Sequence, residues 1–110
     1  MAVLNNKAGG LALVHLTQSN TLIVVGNSSV SNLALTSETV STASIKKVWW
    51  GASNSSYWTV ARGANTVLVL TETGHLDFSS DVLTKDSAAN LVFTLVGTGV
   101  GFVATEVKKN

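Results

Sequence analysis

The sequence predicts an all-β protein, an antiparallel β-sandwich, on three observations. Sixteen Val and thirteen Thr in 110 residues supply β-branched side chains, which fit a pleated, half-buried surface. The chain holds no Pro and few of the Glu, Lys, Arg and Gln residues that build the polar stripe of an amphipathic helix. Turn signals rich in Gly, Asn and Ser recur about every 8–12 residues, and the runs between them have strand length.

The elements follow in order. Residues 1–10 read as a flexible, extended arm ending at Gly9 and Gly10. Residues 11–16 and 21–25 read as a first hairpin, turning at Gln18, Ser19 and Asn20. A weaker strand covers 30–36, after Gly26, Asn27, Ser28 and Ser29. A long strand covers 40–50, polar at first and apolar at its end. Residues 57–62 and 66–71 form a second hairpin across Gly63, Ala64 and Asn65, and 75–78 a short strand. The one candidate helical turn lies at 80–89 and reads equally as loop. Residues 90–96 and 102–108 read as a third hairpin. Alternation supports these assignments: Leu91, Phe93 and Leu95 share one face, and Val92, Thr94 and Val96 the other. About eight strands make a single sandwich domain over residues 1–110, compatible with a jelly roll.

Composition excludes several functions. With no Cys the chain is neither a disulfide scaffold, a thiol enzyme nor a Cys-based zinc module. A net charge of +1, with 12 % of residues charged, lacks the basic excess of a nucleic-acid binder. The start, Met1 to Lys7, lacks the basic and long apolar regions of a signal peptide. No apolar run approaches the roughly 20 residues that span a bilayer. Low charge with abundant Ser and Thr suits a subunit that buries much of its surface in an assembly.

The motifs resolve mostly to structure. Gly97, Thr98, Gly99, Val100 and Gly101 look like a phosphate loop, but such a loop opens a helix and here both flanks are strands. A hairpin turn with positive φ at glycine is expected instead. His15 and His75 are the only histidines; His75 and Asp77 share a strand face without further ligands at metal spacing. Six carboxylates (Glu38, Glu72, Asp77, Asp81, Asp86 and Glu106) are scattered over separate elements, and no nucleophile-elbow pattern occurs. No catalytic residue, cofactor or metal is assigned. Asn27-Ser28-Ser29 and Asn54-Ser55-Ser56 match glycosylation sequons and read as turns. Lys46, Lys47, Arg62, Lys108 and Lys109 are expected on a solvated face.

The aromatic pairs Trp49-Trp50 and Tyr57-Trp58 face each other across a polar turn. Neighbours on a strand point to opposite faces, so one ring of each pair is expected inside. The outward rings are candidates for an interface or for stacking on sugar rings. The interface candidates are Ala2, Val3, Leu4 and Asn5 in the arm, with Trp49, Trp50, Tyr57, Trp58 and Arg62 as interface or core anchors.

Three stretches carry a resemblance. They are Ala43-Ser44-Ile45-Lys46-Lys47-Val48-Trp49-Trp50, the run from Tyr57-Trp58-Thr59-Val60-Ala61-Arg62 to Val67, and Gly74-His75-Leu76-Asp77-Phe78. With the ending, Asn90-Leu91-Val92-Phe93-Thr94 to Lys109, they resemble small virion structural proteins of tailed phages, marine phages among them. The likeness lies in strand and turn patterns over residues 43–109. It implies a non-enzymatic capsid decoration, or cement, protein, a β-sandwich on the outside of the head shell. The implied partners are the major capsid protein and further copies of the chain, with a trimer favoured, and neither nucleic acid nor membrane. The implied location is the capsid surface, after synthesis in the host cytoplasm. The alternatives are a tail- or fibre-associated subunit and a carbohydrate-binding β-sandwich module.

Overall fold

The computed structural model describes residues 1–78 and 88–110. Among the described residues, nine strands form two antiparallel sheets. They are β1 (Ala2–Asn6), β2 (Leu11–Leu16), β3 (Asn20–Leu22), β4 (Ala43–Ala52), β5 (Tyr57–Arg62), β6 (Asn65–Thr71), β7 (Thr73–Asp77), β8 (Leu91–Val96) and β9 (Gly101–Lys109). One sheet has the order β1-β2-β9-β4-β7 and the other β3-β8-β5-β6. With β1 set aside, strand n pairs with strand 11−n in β2/β9, β3/β8, β4/β7 and β5/β6. This is the double Greek key of a jelly roll, so the expected sandwich is present with that topology.

Alternation builds the core. The inward residues of β2 (Ala12, Val14, Leu16), β4 (Ile45, Val48, Trp50) and β9 (Val103, Val107) meet Leu22, Trp58, Val60, Leu68, Leu70, Leu91 and Phe93 of the other sheet. Together they form one cluster with at most 9 % exposure per residue, the two sheets of a single sandwich closed on each other. The radius of gyration, 13.2 Å, matches about 13 Å for one domain of this length.

Jelly-roll topology corrects two of the three expected hairpins. β2 and β3 lie in different sheets, as do β8 and β9, so the turns after Leu16 and Val96 carry the chain across the sandwich. Of the three, β5/β6 alone is a hairpin between neighbours, with a bulge between Val60 and Ala61. Gly97 has φ 110°, as a turn glycine should. Gly99 is needed for a different reason, since a Cβ there would lie 1.9 Å from the Ser53 carbonyl oxygen. The crossing loop packs backbone to backbone on the β4–β5 turn. Ser56 Oγ accepts from the Gly99 N–H at 2.7 Å.

The strand expected over 30–36 is absent. Residues 23–42 form an irregular connection that buries Val24, Leu33 and Val40. It is tied by a two-bond bridge between Gly26 and Val40. Ser31 Oγ adds bonds to the carbonyls of Ile23 and Val24. The arm is extended as expected, but it is not separate from the domain: Ala2–Asn6 pairs with β2 as an edge strand, with a bulge between Val3 and Asn5. Residues 80–87 of the helical turn expected at 80–89 lie outside those described, and Ala88 and Ala89 form a bend.

Candidate interaction faces

The aromatic pairs divide as parity requires. Trp50 and Trp58 point inward, 9 % and 0 % exposed. Each buried indole N–H has a carbonyl acceptor: Trp50 Nε1 donates to Thr71 O at 2.9 Å and Trp58 Nε1 to Gly51 O at 3.1 Å. Arg62 also points inward and is 8 % exposed. Its guanidinium donates to the Ala43 carbonyl at 2.8 Å, clamping β5 of one sheet to β4 of the other. These three are core anchors. Trp49 and Tyr57 are the half-buried, outward partners, and they lie on opposite outer faces of the sandwich. The nine candidates therefore do not gather into one patch. Ala2, Val3, Leu4 and Asn5 lie exposed along the β1 edge, with Val3 and Leu4 at 40 % and 60 %.

The two outer faces differ in chemistry. On the four-stranded sheet, β5 presents Tyr57, Thr59 and Ala61, and β8 presents Val92, Thr94 and Val96. The flanking strands add Thr21 of β3 and Thr66, Val69 and Thr71 of β6. None of these ten residues is charged, and Val69 is 60 % exposed. On the five-stranded sheet, register lines up His15, Ala104, Trp49 and His75 in one row and Leu13, Glu106, Lys47 and Asp77 in the next. An open groove of about 410 Å³ adjoins this face, lined by Gly51, Ala52, Ser53, Val100, Gly101 and Phe102.

A buried ion pair holds the end of the sandwich nearest the β1 edge. Lys109 is 1 % exposed and its Nζ lies 2.6 Å from Glu38 Oε1. The ammonium also donates to Asn6 Oδ1 and to the Leu33 carbonyl, so all three protons have acceptors. Glu38 further accepts from the N–H groups of Leu35 and Gly9. Burial alone would raise the Glu38 carboxyl. The Lys109 hydrogen bond, the two backbone N–H bonds and the Lys109 charge outweigh burial and pull it from 4.5 to about 2. One cluster thus ties β9, β1, the Gly9 turn and the 23–42 connection together. Sequence reasoning put Lys109 on a solvated face with Lys46, Lys47, Arg62 and Lys108. The structure buries both Lys109 and Arg62. The signal was strand parity, since Lys109 continues the inward series Val103, Thr105 and Val107.

His75 and Asp77 share the outward face of β7, as expected, beside Trp49 and Lys47. Among the described residues no three His, Asp or Glu side chains converge as a metal site. Glu38, Glu72, Asp77 and Glu106 lie on separate elements, while Asp81 and Asp86 fall outside the described residues. No helix of the described residues is long and apolar enough to cross a membrane. Comparison of the chain with protein-family models, with curated proteins and with solved structures finds no match.

Proposed function

We propose that this chain is a structural protein of a tailed-phage particle, a capsid decoration protein seated on the outside of the head shell. In this reading it is not an enzyme. It binds the major capsid protein as a homo-oligomer, with a trimer favoured. The observation that carries the reading is the uncharged outer face of the four-stranded sheet. That face is rich in Thr and Val, and among the described residues of these strands none beside the exposed Val69 on the same face is charged. Charge is depleted at the buried centre of protein interfaces. Ten neighbouring outward positions without a charge leave a surface that a partner can cover without desolvating an ion. A partner that binds only the assembled shell adds its binding free energy to that state at every site. The jelly roll also recurs in viral capsid and lectin domains, which is support by analogy of fold alone.

The test is the copy number of the chain in gradient-purified particles, measured by mass spectrometry, together with co-sedimentation of purified chain with head shells lacking it. The expected result is a simple ratio to the major shell protein, and saturable binding that Val69→Asp abolishes. A few copies per particle would favour a tail or fibre subunit instead. Absence from particles would refute the reading.

A further inference from the structure

We infer that the outer face of the five-stranded sheet is a binding site for a neutral glycan, centred on Ala104. β9 is the middle strand of this sheet, and Ala104 lies on its outward side. Register sets His15 of β2 on one side of Ala104 and Trp49 of β4 on the other. Along β9 the next outward residues are Phe102 and Glu106. The small residue is therefore ringed by three aromatic side chains and a carboxylate. Ala104 is only half-buried in spite of its central strand, so solvent reaches the floor of the hollow. Strand spacing puts the Cα atoms of His15 and Trp49 about 10 Å apart, and residue rise puts those of Phe102 and Glu106 about 14 Å apart.

The walls are set by the fold. The Phe102 ring lies over Gly51, where a Cβ would come within 2.7 Å of it, so the absent side chain lets the ring rest on the sheet. The same ring stands 6.3 Å from His15, tilted by 33°, and remains 39 % exposed. Aromatic faces held on a rigid sheet suit the C–H faces of a sugar, which bury apolar surface while the hydroxyls stay near polar groups. The polar groups are close at hand. Glu106 accepts hydrogen bonds, Lys47 donates them and an imidazole does both.

Charge decides which ligand class fits. Glu106 pairs directly across the strands with Lys47, and Asp77 lies beyond Lys47 in the same row. Lys47 and Glu106, one charge of each sign, are the charged pair nearest Ala104, so neither sign dominates there. Such a surface attracts neither a phosphate nor a quaternary ammonium by net charge, and it offers paired donors and acceptors to hydroxyls. The inference uses the face opposite the one assigned to the shell, so either reading stands if the other fails.

The test is an array of neutral, sialylated and sulfated glycans probed with the full chain. The best neutral oligosaccharide is then titrated against the chain and followed by backbone amide shifts. Binding to neutral glycans is expected, with shifts at residues 102–106, 47–49 and 15. Trp49→Ala and Phe102→Ala should each weaken it about tenfold or more. Ala104→Leu fills the hollow while leaving every ring in place, and it should abolish binding even if an aromatic variant fails to fold. Val69→Ala, on the opposite face, should bind as the parent does. No signal on any neutral glycan, or binding that survives Ala104→Leu, would overturn the inference.

Discussion

Lys109→Met removes the ammonium from the buried cluster and keeps most of the apolar stem. The Glu38 carboxylate, Asn6 Oδ1 and the Leu33 carbonyl then lose the ammonium, though the Leu33 carbonyl keeps a bond from Asn6 Nδ2 at 3.0 Å. Breaking one side of a buried ion pair costs about 3–5 kcal/mol when the remaining charge stays dry. Here the Glu38 side chain is 10 % exposed and keeps its Leu35 and Gly9 N–H donors. The expected loss is therefore lower, about 2–4 kcal/mol, or roughly 8–15 °C in Tm for a domain of this size. Acid gives an independent handle. A carboxyl held at about 2 instead of 4.5 contributes stability that is fully present above pH 4.5 and is lost as pH falls through 2. The difference corresponds to about 3 kcal/mol at most, lessened by water at the exposed edge of the carboxylate. Urea unfolding at several pH values from 7 to 2 measures both effects. The parent should lose stability steeply below pH 4.5, and Lys109→Met should lose less over the same range. Adding Glu38→Gln to Lys109→Met should recover part of the loss at pH 7, because no uncompensated charge remains. A cost below about 0.5 kcal/mol for Lys109→Met, or the same acid dependence in parent and variant, would refute the reasoning.

Two further outcomes test the core and the crossing loop. Trp58→Ala should cost about 3–5 kcal/mol by thermal or urea unfolding, since it empties a fully buried site and leaves the Gly51 carbonyl without its donor. Trp49→Ala, on a half-buried outer position, should cost markedly less; equal losses would contradict the division of the Trp pair. Gly99→Ala should cost about 1–3 kcal/mol, because its Cβ would meet the Ser53 carbonyl and the loop must shift. An unchanged midpoint would show that the β4–β5 turn yields freely.

Local pattern determined much of this protein. A period of two is written within a few consecutive residues, so β2, β5, β6 and β8 were legible with boundaries close to those observed. That one ring of each aromatic pair points inward followed from the same parity, while the choice between Trp49 and Trp50 came from the fold. The β-sandwich class followed from strand number and turn spacing. Pairing did not follow. A short polar turn between two strands serves a hairpin or a crossing between sheets equally well, and the choice depends on strands distant in sequence. Thus β2 pairs with β9 rather than β3, and β8 pairs with β5 and β3 rather than β9. The irregular 23–42 connection was misread because Val24, Leu33 and Val40 look like strand residues. They are apolar because they plug the core, which periodicity cannot distinguish. Lys109 was misplaced for the opposite reason. A lysine near a chain end is ordinarily solvated, and only the tertiary fold brings Glu38, Asn6 and the Leu33 carbonyl to its ammonium. The contrast between the two outer faces likewise exists only after folding. It assembles residues from eight strands, each unremarkable in its own segment, and three-dimensional pairing alone decides which of them share a surface.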